Sequence, residues 1–481
     1  MDGVAGNPTL PTPLLLSLLR AGAGDAGEGG GGAGVRDGVG ARGAESPAPV
    51  DRPPRRAVQR AGLPEAAVAL ILAHPDPRVR MDFALSADVE PARRARLADD
   101  PVPKVRAALA YGPEWHAPRT SVPALPDAVC ARLLDDPEPS VREALLDSPH
   151  LTVPFRASLA THHDPAARLS AVLRGWERLA PGERAALSAD PDPGVRRAAA
   201  LRECPRDARL TTELLRDPRS AAEALRHGLL TRADAERYVA GRTHLVALAE
   251  NPSLPRDLVD RLAVDPDEDV RLAVSIRPEL SEERRRAIDF TVGALDRRGV
   301  QWVQDGLADP DVLRRAATSG HLMLQRAAAR SPHLPPDLLR LLVRAEDPVV
   351  ETNLCVHHPD TPQDVMMRVY GRLGGTFSAW MAETHPRFPR EGLAARYADH
   401  PDGDHRRLAL RDPAATPALV ERLSHDPVLR TRQAAAGDPR LPLHRLREVL
   451  HVHELASAAG ANPALPVDDM AAVLSRAGLR A

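Results

Sequence analysis

Aromatic side chains are scarce: Phe, Trp and Tyr make up 3% of 481 residues. That excludes a core built on ring packing and leaves few platforms on which nucleobases could stack. Lysine is scarcer still. Lys104 stands alone, and the other basic residues are arginine, a skew that reads first as a high-GC, bacterial-type composition and second as a preference for bidentate contacts. The three cysteines, Cys130, Cys204 and Cys355, lie far apart and are odd in number, so no disulfide framework is expected and a reducing compartment is. No apolar run reaches membrane-spanning length, and the run at residues 14–19 has no basic residue before it, unlike a secretory signal. Formal charge is −2, from 64 basic and 66 acidic residues, so no bulk attraction to nucleic acid or anionic lipid is visible. A soluble cytoplasmic protein with no membrane partner is the expectation. HExxH, a Gly-rich phosphate loop, GxSxG and a Cys–His motif are all missing, so neither an enzyme nor a cofactor or metal is expected.

What is abundant is proline, at 48 residues, and most of it falls at recurring stops. Residues 251–275, NPSLPRDLVDRLAVDPDEDVRLAVS, are the clearest copy of a unit that can be laid along most of the chain. In LPRDLVDRLA, Pro255 suits a first helical turn, and Leu258, Val259 and Leu262 follow at helical spacing. In DPDEDVRLAV, Asp265 is placed to cap a second helix with Pro266 in its first position, and Val270, Ala273 and Val274 form the inward stripe. Neither helix is long enough to persist alone in water, so each pair must bury its stripe against its neighbours. The first-stop prolines Pro332, Pro359, Pro386, Pro413, Pro439 and Pro463 recur at intervals of about 24 to 28 residues, the range of such repeat units. An all-α chain of stacked helix pairs follows, with about fifteen imperfect repeats.

The N-terminal residues 7–20 match the first half of the unit, and the second half is missing. Residues 22–56, with GEGGGGAG and PAPVDRPPRR, read as a flexible linker stiffened at its proline-rich end, so the half-repeat at 1–21 is expected to be tethered rather than docked. A continuous array is expected over 57–481. Its irregular stretches are GPEWHAPRTSVP from Gly112, with Trp115 and His116; the region 278–332, with Trp302; and YGRLGGTFSAWMAETHP from Tyr370, with Phe377 and Trp380. A long loop carries binding about as often as it merely tolerates length. The aromatics read as local core plugs before contact hot spots.

The phrase NP-x-LP-x-x-LL-x-x-LA-x-DP-x-x-x-VR-x-A resembles the leucine-rich repeat variant, a relative of HEAT-like arrays, over residues 7–20 and from Ala57 onward. The resemblance implies a right-handed α-solenoid of alternating α and 3-10 helices. The iron–sulfur segment of one member of that family has no counterpart, because residues before Ala57 contain no cysteine.

The second stop repeats an arginine in phase: Arg80, Arg106, Arg142, Arg196 and Arg271. Stacking would set these in a row, about 8–10 Å apart. Each arginine either bridges repeats, through a neighbour's aspartate or terminal carbonyl, or offers a cation to an acidic partner. Histidines at 162 and 163, 357 and 358, and 400 and 405 fall on or beside Asp-Pro stops, which explains their position without a metal, since a metal site needs three or four converging ligands. The candidate partner-binding residues are therefore the five arginines with Trp115, Trp302 and Trp380. A non-catalytic protein- or peptide-binding scaffold is the leading expectation. A nucleic-acid-binding array that uses the arginine row comes second, and a HEAT-like enzyme of unknown substrate third.

Overall fold

The computed structural model describes residues 1–21, 53–113, 122–296, 298–373 and 382–479. Trp115, His116, Phe377, Trp380 and residues 22–52 of the expected linker lie outside them. Among the described residues all regular structure is helical, and the longest helices, Pro193–Glu203 and Gln363–Leu373, run 11 residues. Such lengths are marginal in isolation, so the stability must come from packing. The chain forms two compact units, one of Met1–Leu151 with Pro389–Ala481 and the other of Thr152–Phe388.

Both units are built from the expected helix pairs. In the second unit the first helix Arg256–Leu262 buries Leu258, Val259 and Leu262, and the second helix Glu268–Ser275 buries Val270, Ala273 and Val274. The boundaries differ from the sequence expectation. Pro255 is the N-cap rather than the first helical residue, and Asp267, not Asp265, caps the second helix by accepting from the Asp269 N–H at 2.9 Å. Asp265 lies two residues before that cap, buried, and accepts the N–H of Asp267. Its carboxylate keeps acceptor capacity for a partner in another repeat. Both helices of most pairs are α-helical; 3-10 turns occur only locally, at Ala95–Asp99, Leu159–Thr161 and Ala409–Arg411 among others. Second helices pack on second helices of adjoining repeats, as Pro218–His227 does on Leu245–Glu250, and that in turn on Glu268–Ser275.

One polar residue per repeat ties these layers together. Asn251 accepts the Ser253 N–H on Oδ1 at 2.7 Å and donates through Nδ2 to the carbonyls of Leu225 (2.6 Å) and Gly228 (2.8 Å), at the end of the preceding second helix. Those carbonyls are among the groups a helix C-terminus leaves unpaired. Asn462 repeats the pattern, accepting from Ala464 and donating to Ala436 and Asp438. The hydroxyls of Ser86, Ser148 and Ser331 accept from the N–H two residues on and donate to Gln59, Tyr111 and Leu307. His358 and His385 do the same with a ring. Nδ1 accepts from Asp360 or Arg387, and Nε2 meets the carbonyl of Leu334 or His358. At Asp438, which has no donor, Arg440 pairs with the carboxylate and donates in its place to Leu410, Asp412 and Ala415. All these stop residues are buried.

The half-repeat at 1–21 is docked, contrary to the tethered segment expected from sequence. Asn7 donates to Gly460 (3.0 Å) and Asn462 (2.7 Å) and accepts from Thr9, the same pattern that Asn462 and Asn251 make within their own repeats. The helix Asp2–Ala5 therefore follows His453–Gly460 in the row of second helices, and Arg55–Val58 and Pro77–Ala84 follow it. In the first unit the two ends of the chain are consecutive repeats.

Replacing Asn251 with alanine removes two buried N–H donors, leaving the Leu225 carbonyl without its side-chain partner and the Gly228 carbonyl with only the longer bond from Ser253 Oγ, and should lower unfolding free energy by about 2–4 kcal/mol in denaturant titration. Asn251→Ser keeps the arrangement seen at Ser86, Ser148 and Ser331 and should recover at least half of that loss. An alanine variant within about 0.5 kcal/mol of the parent, the size of an ordinary surface substitution, would contradict the role given to the stop residue.

Candidate functional site

The arginine row is the regular polar feature of the second stops, so its partners decide what it can bind. Arg80 holds Asp100 bidentately, Nε to Oδ2 at 2.6 Å and Nη2 to Oδ1 at 3.1 Å, and Nη1 donates to the His74 carbonyl of its own repeat. Arg106 holds Asp136 the same way, at 2.6 and 2.9 Å, and donates to the Asp100 carbonyl. Arg142 continues onto the Asp136 carbonyl at 2.7 Å. Each aspartate thus receives a guanidinium from the repeat before it, while its backbone carbonyl receives one from its own repeat.

The pattern recurs where the sequence motif is worn. Arg168 holds Asp190, Arg326 holds Asp347 and Arg406 holds Asp426, each through Nε and Nη2. Arg196 donates to the carbonyls of Asp190 and Pro191, and Arg271 to those of Asp265, Pro266 and Asp289. The repeat before Asp265 lacks the motif arginine. Arg242, in the left-handed conformation at φ 50°, fills the place and holds the Asp265 carboxylate at 2.9 and 3.0 Å. The hydrogen bond from arginine holds Asp136, Asp190 and Asp265 below the ordinary aspartate pKa. Of the five candidate arginines, Arg80 and Arg106 hold an aspartate of the next repeat bidentately, Arg271 reaches the Asp289 carbonyl, and Arg142 and Arg196 donate to carbonyls of their own stops; each bidentate pair carries no net charge outward.

Trp302 is half-buried, donates from Nε1 to the Ile276 carbonyl at 2.9 Å, and lies 5.9 Å from the Arg315 guanidinium. That carbonyl follows a second helix, so Trp302 does for the irregular region what an asparagine does in a regular repeat. It also borders a cavity of about 330 Å³ lined by Arg226, Glu250, Ala273, Arg277 and Asp305. The charged groups of the lining are already engaged. Arg226 pairs with Glu250 at 2.5 Å, and Arg277 donates to the Ala249 and Asn251 carbonyls. The rest of the lining is mixed, with Ile276 and Val300 beside the Trp302 ring and Gln301 and Asp305 adding polar groups.

A serine and a histidine meet in the same region. Ser275 Oγ lies 2.8 Å from His321 Nε2, and both residues are buried. His321 Nδ1 accepts the Met323 N–H, so the ring proton sits on Nε2 and points at the serine. Ser275 in turn donates to the Leu272 carbonyl at 2.7 Å. The imidazole is a donor here and cannot take the serine proton, so the pair is not an activated nucleophile. Burial, with Arg285 nearby, pushes the His321 pKa down to about 4, and the ring stacks on Phe290 at 4.5 Å. Burial likewise raises the thiols of Cys130 and Cys204 to about 11, which makes both poor nucleophiles.

Of the other sequence candidates, His358 and His400 act at stops, each accepting the N–H two residues on. The polar stop residues themselves were not singled out from the sequence, although a signal was present: Asn, Ser, His or Asp stands immediately before the first-stop proline in most repeats. No family model matches the chain, and no curated protein resembles it. Among the described residues no helix is long and apolar enough to cross a membrane.

Arg106→Ala leaves Asp136, whose side chain is 6% exposed, without its cation. A loss of about 3–5 kcal/mol in unfolding free energy is expected; a loss under about 1 kcal/mol would place the pair with ordinary surface bridges. His321 binds a proton in the unfolded chain below about pH 6.5 but in the folded chain only below about 4, so its contribution is complete above 6.5 and is lost as pH falls through that window. His321→Asn should therefore flatten the acid limb of stability between those values by about 3 kcal/mol. An unchanged limb would locate the titration elsewhere.

Proposed function

We propose that the chain is an α-solenoid of short helix pairs, of the kind the leucine-rich repeat variant implies, and that it is a non-catalytic scaffold holding a protein or peptide segment along its second-helix row. The observation that supports this reading is that the second-stop arginines Arg80 and Arg106, with Arg168, Arg326 and Arg406 at worn copies, are paired with aspartates of adjoining repeats. A row so neutralised holds repeats together rather than attracting a polyanion. The second helices of the first unit carry a mixed surface: Lys104 on Pro103–Tyr111 and Ser140 and Glu143 on Pro139–Asp147, the helix packed next to it, are open to solvent. Mixed charge with few aromatics suits a protein surface better than a phosphate backbone. The cysteines, buried and in no disulfide, accord with a reducing, cytoplasmic setting.

Affinity capture of the tagged chain from its own lysate, with and without nuclease, compared with a Lys104→Glu, Glu143→Arg double variant, separates the readings. Proteins that resist nuclease and drop at least fivefold with the variant support the scaffold. Capture that disappears with nuclease, and survives the double variant, would replace it with a nucleic-acid role.

A further inference from the structure

We propose that the N-terminal segment 1–21 is an exchangeable strap, a repeat element held by contacts rather than by chain continuity, and that its seat on the C-terminal repeat accepts the same segment from a second copy of this chain. The seat is built for it. A Cβ on Gly3 would collide with the Ser457 carbonyl, and one on Gly460 would come within 2.9 Å of the Val4 nitrogen. The two helices therefore approach backbone to backbone, at a distance only glycine allows. Asn7 then closes the C-terminal carbonyls of Gly460 and Asn462, while Val4, Leu14, Leu15, Leu18 and Leu19 are buried. On its far side the strap meets the next repeat, where His74 Nε2 reaches the Ala21 carbonyl at 3.0 Å and the helix Thr12–Leu19 packs on Glu65–Leu72.

The strap thus presents two repeat faces, one to each end of the chain, and its departure would bare both. Those faces are chemically fitted to one occupant: a short helix with glycine at its second position, followed by Asn-Pro and a leucine-rich helix. The strap and its seat each carry a buried glycine on a second helix followed by Asn-Pro: Gly3 with Asn7-Pro8, and Gly460 with Asn462-Pro463. Residues 22–52 separate the strap from the body, a connection that at full extension spans about 100 Å. A neighbouring copy's seat is within that reach. Because loop closure grows only slowly with length, such a connection favours docking in the same copy at low concentration without forbidding exchange at high concentration.

The test uses the full chain with a protease recognition sequence inserted between Gly30 and Gly31. After cleavage, size-exclusion chromatography should show the N-terminal fragment co-eluting with the remainder. A labelled fragment should then move into a tenfold excess of unlabelled cleaved protein over hours. Gly3→Leu should release the fragment on cleavage, whereas Gly437→Ala, where a Cβ meets nothing nearer than 3.6 Å, should not. If Gly3→Leu fails to fold, Asn7→Ala serves instead and should speed exchange at least tenfold. Before cleavage, the uncut chain should show a dimer fraction that rises with concentration and that Asn7→Ala shifts. A fragment that leaves the parent protein at once, or one that never exchanges, or an uncut chain monomeric at every concentration, would each overturn the proposal.

Discussion

The structure depends on how the orphaned carbonyls at the end of each second helix are satisfied. Helices this short leave a large share of their backbone groups unpaired at the ends, and stacking buries those ends where water cannot serve them. In each regular repeat one side chain before the first-stop proline solves two problems together. It accepts the N–H two residues ahead, which shapes the turn, and donates to the preceding helix, which sets the distance between repeats. Asparagine has both an acceptor and two donors and does this alone. Serine and histidine manage with one donor, and aspartate needs an arginine beside it.

The arginine row is the second tie and obeys the same economy of position. A guanidinium has five donors in a fixed fork, enough to take a carboxylate on one edge and a carbonyl on the other. The aspartate of the next repeat uses its carboxylate and its carbonyl in opposite directions. Arg80, Asp100, Arg106, Asp136 and Arg142 therefore form one continuous chain of charge-assisted bonds. What a sequence presents as a cationic stripe is, in the folded chain, an alternation of signs.

Much of the fold was legible because local rules and packing agree. The stripes Leu258, Val259, Leu262 and Val270, Ala273, Val274 are buried as their spacing predicts, and the bridging read as one of two roles for the in-phase arginines is seen at Arg80, Arg106 and Arg271. Other features needed coordinates. Asp265 sits before a proline in a capping context, and only the observed turn shows that Asp267 takes the cap and leaves Asp265 for Arg242. Docking of residues 1–21 depends on Gly3 and Gly460 meeting from opposite ends of the chain, a pairing with no local signature. The Ser275–His321 pair is 46 positions apart and its harmlessness rests on a tautomer, which no spacing encodes.

The central claim, that each stop residue fixes its own turn and the adjoining repeat together, is tested most directly by native-state hydrogen exchange of the amides two residues after the stops: Thr9, Ser253, Asp360, Arg387 and Ala464. Each lies at the start of a turn, outside any helix, yet is bonded to a buried side chain. The account predicts protection comparable to that of the neighbouring helices. Exchange at the rate of an open loop would contradict it.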